Sequence, residues 1–227
     1  MSTQDNARAR ADILARLREA APASRGPAPG VDAYYAGLPQ PDPASATGRF
    51  AERARSWRAE VIDCTRATWP QALAGVVAAK GIGHLLAGRD TPLHDGLAAV
   101  AASTQLVWYD TSIDTFKPTL FDRIDAGITT TRGGIAETGS LILWPDANEP
   151  RTLSLVPPIH IAVLHANDLH ETLHAAMRAQ GWAARMPTNA LLVTGPSKTA
   201  DIQRLLVYGA HGPKQLIVLL VREETGA

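Results

Sequence analysis

Residues 127–165 read GITTTRGGIAETGSLILWPDANEPRTLSLVPPIHIAVLH, and the fold class turns on how this stretch is divided. With Ala126 in front, it holds three strand-like apolar runs: AGITT (126–130), GSLILW (139–144) and HIAVL (160–164). About eight residues separate the first run from the second, whereas a parallel crossover takes a dozen or more. These two strands are therefore expected to be antiparallel neighbours or to lie in different parts of the sheet, with room for a helical turn at 134–136. The intervening TRGGIAETG carries glycines, an arginine, hydroxyls and an acid to a sheet end. Loops of that kind on a rigid scaffold collect functional groups. Thr129–Gly139 is the expected working part of the chain.

Outward from this centre, strands and helices alternate. Upstream, 48–60 reads as a helix and VIDCT (61–65) as a strand. Thr68–Gln71 forms a capping box with Pro70 in the first turn, which predicts a helix to Lys80 stopped by Gly81. IGHLLAG (82–88) and QLVWYD (105–110) read as strands, with a helix from Thr91-Pro92 to Ala102 weakened by Gly96. Downstream, Asp168 and Glu171 read as the cap of a helix with Leu169, Leu173, Ala176 and Met177 buried, ended by Gly181. ALLVTG (190–195) is then a strand, Ser197–Tyr208 a helix and QLIVLLV (215–221) the last strand. The alternation predicts an α/β fold with a mixed, mainly parallel sheet flanked by helices. Ahead of it, Ile13, Leu14 and Leu17 form the stripe of a short amphipathic helix, and 22–43 holds six of the chain's 16 prolines. Residues 1–46 thus read as a helix and Pro-rich connector, and 47–227 as the domain.

Composition narrows the function classes. Twenty-two basic side chains balance 22 acidic ones, which gives no electrostatic case for nucleic acid or an anionic membrane as the main partner. No run approaches the ~18 apolar residues of a membrane span, and the N-terminus has no secretory h-region. The one cysteine, Cys64, cannot form an internal disulfide or by itself hold a cluster or structural zinc. A single thiol suits a reducing compartment, and its VIDCT context predicts a buried, inert group. A cytoplasmic protein is expected.

Among motifs, His170-Glu171-Thr172-Leu173-His174 matches H-E-x-x-H, yet no third ligand follows and Glu171 is already assigned to a cap; no metal site is expected. The glycines at 133, 134 and 139 give neither G-x-G-x-x-G nor a P-loop, and no G-x-S-x-G elbow is present. Thr129, Thr130, Thr131 and Arg132, with Gly133, Gly134 and Thr138, suit a phosphate or carboxylate. Glu137 could serve as base, nucleophile or acid, or pair with Arg132. In GPSKTADI, Ser197 or Thr199 would cap a helix and bring Lys198 to its positive end. In GAHGPK, His211 and Lys214 lie on a turn before the last strand. Ligands of α/β sheets bind outside carboxyl strand ends, so all three segments are expected to line one pocket, with Glu137 and His211 as catalytic candidates.

The set GIT…IAETGSLIL, LVPPIHIAVL, GPSKTADI and GAHGPK resembles the LUD-domain family over about residues 50–224, and within it the lactate utilization protein C (LutC, YkgG-like) group. The resemblance implies a fold similar to the NagB/RpiA/CoA-transferase-like group. It also implies a cluster-free subunit acting with LutA- and LutB-like iron–sulfur partners in oxidising L-lactate to pyruvate, with no cofactor on this chain. It supplies no catalytic residue. Two other readings stay open: a stand-alone enzyme binding a CoA ester or sugar phosphate, and an organic-acid-binding regulator.

Overall fold

The computed structural model describes residues 3–20, 30–39, 41–42, 45–200 and 206–223. The chain divides into two units, 1–40 and 41–227. The first holds α1 (Thr3–Glu19) and α2 (Val31–Ala36). Ile13 and Leu17, two of the three residues of the expected docking stripe, are exposed. α2 forms inside the stretch read from its prolines as irregular; much of the rest of that stretch lies outside the described residues.

The second unit is built on six strands: β1 (Glu60–Thr65), β2 (His84–Ala87), β3 (Gln105–Trp108), β4 (Ala126–Thr130), β7 (Ile159–His165) and β12 (Gln215–Arg222). They lie in the order β1-β12-β7-β4-β2-β3, and every pairing is parallel. Parallel sheets are covered on both faces. β12 shows it directly, with Leu216 to Val221 buried without a break. On one face, α4 (Trp69–Lys80) sets Leu73, Val76 and Val77 in a core with Ile128, Ile161, Ile217 and Leu219. On the other, α3 (Ala46–Ser56) sets Phe50, Ala51 and Ala54 in a core with Ala162, Leu164, Val218 and Leu220. Cys64 is buried against the first core, and burial pushes its thiol up to about 11, which leaves it protonated and unreactive.

Helix bounds follow local chemistry where the sequence is explicit. α4 ends on Gly81, in the left-handed conformation at φ +63°. Thr68 flanks α4 without the expected side-chain cap; its hydroxyl instead accepts from the Thr65 N–H at 2.8 Å. The helix expected from Thr91 to Ala102 is reduced to α5 (His94–Leu97) and a 3-10 turn at Ala98–Val100. α6 (Ile113–Asp122) and α7 (Arg151–Leu155) had no counterpart in the sequence reading.

The runs AGITT and GSLILW fall into different sheets. β5 (Gly133–Ile135) takes the place of the helical turn expected at 134–136 and pairs antiparallel with β6 (Ser140–Leu143). Together with β8 (Leu169–His170) and β9 (Leu191–Val193) they make a second sheet, ordered β8-β5-β6-β9. The expected cap at Asp168 is not used. α8 (Leu173–Ala179) begins later, where the Thr172 hydroxyl accepts from the Ala175 N–H at 3.1 Å. Glu171 instead pairs with Arg49 of α3. The Ser197–Tyr208 helix is also replaced: β10 (Lys198–Ala200) pairs antiparallel with β11 (Leu206–Tyr208), and 201–205 lie outside the described residues.

The two units predict the effect of truncation. Removal of residues 1–40 is expected to leave 41–227 with a single cooperative urea transition. Loss of that transition would show that α1 or α2 completes the core.

Candidate functional site

At the carboxyl ends of β1, β2, β4 and β7 lies a cleft of about 940 Å3. The chain leaves β2 towards β3 at one edge, but leaves β4 towards β7 in the opposite direction. The crevice between β2 and β4 is thus a topological switch point, where connections diverge and open a space at the sheet end. Arg66 and Trp69 enter the cleft after β1, Leu93 and Asp95 after β2, Thr129–Arg132 at the end of β4, and His165 after β7. Two glycines fit these walls together. A Cβ on Gly96 would lie 1.9 Å from the Trp69 ring, and one on Gly88 would lie 2.4 Å from the Asn148 carbonyl. The first contact also explains why Gly96 stands in a helix that it weakens.

The three threonines at and just after the end of β4 have different hydrogen-bond states. Thr131 donates its hydroxyl to the Val163 carbonyl at 3.0 Å. Thr130 gives both its N–H (2.8 Å) and its hydroxyl to Glu149, which clamps the carboxylate at the switch point. Thr129 is buried, with its Oγ1 at 2.9 Å from Nε2 of the fully buried His160, whose Nδ1 has no partner. If Nε2–H donates to Thr129, Nδ1 holds a bare lone pair rather than an orphaned N–H. The Thr129 hydroxyl is then the acceptor of this bond.

Burial holds these two titratable groups neutral-ward in opposite senses. It raises the Glu149 carboxyl, with Asp146 adding to the rise and the Thr130 bonds opposing it. It lowers His160 to about 4. For His160 the unfolded chain binds the proton more tightly, so the stability it confers is complete above about pH 6.5 and is lost as pH falls towards 4. At ~1.4 kcal/mol per pH unit, the loss reaches roughly 2 kcal/mol at pH 5. Glu149 acts with the opposite sign, so the comparison must be between wild type and His160→Gln at each pH. In urea melts the stability advantage of wild type is expected to shrink by that amount between pH 7 and pH 5; an unchanged gap would mean that His160 is protonated in the fold.

Arg132 stands where the chain passes from the first sheet to the second. Its N–H donates to the Ile142 carbonyl at 2.8 Å, and its own carbonyl accepts from Gln180 at 2.8 Å. The next residue, Gly133, has φ +146°, and a Cβ there would lie 2.5 Å from the Asp168 carbonyl. The guanidinium lies over the Trp144 ring at 4.7 Å, and no carboxylate bridges it among the described residues. A stacked guanidinium keeps its N–H edge for a planar anion. In the cleft that Arg132 lines, this edge can hold a carboxylate or phosphate.

The other expected site residues are not brought here. Gly134 is buried in β5. Glu137 and Thr138 line a separate cavity of about 520 Å3 with Arg53, Trp57, Ser140 and Thr194. Glu137 is not paired with Arg132. Ser197, Lys198, Thr199, His211 and Lys214 lie at the other end of the sheet: the Ser197 N–H donates to Pro213, and the Lys214 N–H to Pro158, just ahead of β7. β7 is seven residues long, so that end is ~20 Å from the cleft at ~3.3 Å per residue. The single pocket expected from all three segments does not form, because His211–Lys214 precede their strand and in a parallel sheet such turns sit at the amino edge. Lys198 is in a strand and not at a helix N-terminus. His170 lies in β8 and His174 in α8, so the H-E-x-x-H string does not place two histidines on one helix. Glu149, Trp144 and Trp69 were missed as site residues.

The pattern of the LUD domain matches residues 48–221, which spans the six-stranded sheet, the second sheet and every wall of the cleft. The chain belongs to the LUD-domain family. It is 36% identical over 224 residues to the uncharacterized protein NMB1437 of Neisseria meningitidis serogroup B, covering 94% of this chain and 93% of that one. It is 27% identical to the lactate utilization protein C of Macrococcus caseolyticus over 73% of each chain. YkgG of Escherichia coli is 30% identical over 45% of this chain and 46% of its own. A crystal structure of a DUF162 family protein from Deinococcus radiodurans aligns with a TM-score of 0.60 at 21% identity, covering 80% of this chain and 99% of that one. The LUD architecture is therefore an α/β fold on a parallel sheet. No helix among the described residues is long and apolar enough to cross a membrane.

Proposed function

We propose that this LUD-domain protein is a cluster-free subunit of a lactate-oxidation system, in which it supplies an anion-binding cleft to iron–sulfur partners of the LutA and LutB kind. The observation that carries the reading is Arg132. It is fixed by backbone bonds on both sides, stacked on Trp144 and, among the described residues, not bridged to a carboxylate, at the switch point of a parallel sheet. The lactate utilization proteins C among the relatives set the pathway class. A cluster is normally held by four thiolates or by histidines alongside them, and the single cysteine is buried in the sheet core. The redox centre of this reading accordingly belongs to a partner.

The test is complementation. In a host that depends on this gene for growth on L-lactate, wild type should restore growth and co-purify with iron–sulfur proteins. A stable Arg132→Ala chain should restore it poorly. Full growth without the gene product would end the reading.

One observation favours a second reading. Binding pockets run about 300–1,000 Å3, and this cleft of about 940 Å3 is roomy for a three-carbon acid. Trp69, Pro70, Pro92 and Leu93 give it an apolar wall. A stand-alone enzyme acting on a CoA ester or sugar phosphate fits that space, and turnover by the purified chain alone would select it.

A further inference from the structure

Glu149 and Thr130 form a pair that the anion-binding reading does not by itself use. We infer that the cleft binds its anionic ligand together with one proton, taken up by Glu149, which turns the Thr130 hydroxyl from a donor to the carboxylate into a donor to the ligand. The inference rests on the reading of the cleft as an anion site and adds a specificity-determining pair to it.

The geometry carries the argument. With Glu149 ionised, its two oxygens accept the N–H and the hydroxyl of Thr130, so the Thr130 proton is taken by the carboxylate and not offered to a ligand in the cleft that both residues line. A carboxylate has no proton to return. Once protonated at the oxygen facing Oγ1, Glu149 donates to Thr130 instead, and the hydroxyl proton is released towards the ligand. The balance is one proton from solvent to the carboxylate, with no bond made or broken elsewhere. Thr130 then joins Arg132 as a donor at the end of β4, a pair suited to a carboxylate or an oxyanion of sulfate or phosphate type.

Two features favour uptake over release. Burial and the neighbouring Asp146 already press the Glu149 carboxyl towards its neutral form. A bound anion adds a further negative charge beside it. The other charged or titratable groups on the cleft are Asp95 after β2, Arg132 at the end of β4, Arg66 after β1, and His165 and Asp168 after β7. Arg66 is 3.9 Å from Glu223, and none of these cations is bridged to Glu149.

Binding of L-lactate and of sulfate to the full chain tests this, because neither probe changes its own charge near neutrality. Titration calorimetry in two buffers of different ionisation enthalpy is expected to show net proton uptake. The affinity should fall with rising pH, approaching tenfold per pH unit above the Glu149 pKa. Glu149→Gln mimics the protonated state, since its amide oxygen takes the Thr130 N–H and its NH2 donates to the hydroxyl. It should bind at least as tightly as wild type at low pH, with no proton uptake and no pH slope. Thr130→Val should weaken binding at low pH and flatten the slope, while Thr130→Ser keeps both.

Wild-type binding without proton uptake would overturn the inference and leave the anion site standing. Uptake that persists in Glu149→Gln would do the same, placing the proton elsewhere. Binding that is absent, or indifferent to Arg132→Ala, would remove the anion site itself. The wild-type buffer comparison can overturn the inference even where a variant fails to fold.

Discussion

Gly139→Ala is expected to lower folding stability by about 2–5 kcal/mol, the sum of a left-handed backbone forced on an L-residue and a steric overlap. Gly139 sits at φ +70° in the turn between β5 and β6. A Cβ there would lie 2.3 Å from the Ala54 nitrogen and 2.7 Å from the Arg53 carbonyl carbon. These are backbone atoms of α3, so no side chain can rotate aside. The turn and the helix would have to separate, and with them Phe50 and Ala54 from Leu141. The control is Gly181→Ala. Gly181 has nearly the same backbone, φ +65°, but nothing within 4 Å of its Cβ position. That variant should lose only the conformational part, about 1–2 kcal/mol. Urea melts of the two should differ clearly; equal losses would show that α3 gives way at little cost.

Arg132→Ala is the second large effect, and it falls on binding rather than folding. Loss of a charged hydrogen bond costs about 1.5–3 kcal/mol, so the Kd for L-lactate or sulfate should rise roughly ten- to a hundredfold. Stability should hardly change, because Arg132 is anchored through its main chain and the guanidinium is exposed. Arg132→Lys separates charge from shape: it keeps the cation but loses the flat stack on Trp144. An intermediate Kd is expected. If both variants bind as wild type does, the anion is held elsewhere.

How much of this was legible in the sequence depends on the range of the interactions involved. The unbroken apolar run QLIVLLV announces a strand covered on both faces, and Gly81 announces the end of α4; both are local signals, and both are present in the fold. The second sheet was not legible. GSLILW is as apolar as the main-sheet strands, so periodicity could not assign it to a separate sheet. At Asp168–Thr172 two residues compete as the cap of one helix, and the choice fell to Thr172 once Leu169 and His170 paired with β5. Glu149 was invisible because its partner is Thr130, 19 residues earlier in the chain. His211 was a different kind of miss. Its place before the last strand already put it at the amino edge of any parallel sheet, and that inference needed only the strand direction.

The strand order has a consequence for how the protein is made. β1, the first strand of the sheet to be synthesised, has only β12 as a neighbour among the described residues, and β12 is the last strand of the sheet to be translated. Until it arrives, Val61 and Ile62 have no ladder partner and β7 has one open side. The nascent chain therefore holds two unpaired edges while everything between them is already available to fold. Unpaired edges are where growing chains associate with one another. The final step is the insertion of a strand between two waiting ones, a closure of high sequence separation and therefore slow. A ribosome that stops before residue 215 would not produce a trimmed domain. It would leave the sheet divided at its second position, with the cleft's β1 wall detached from β4, the strand that leads to Arg132.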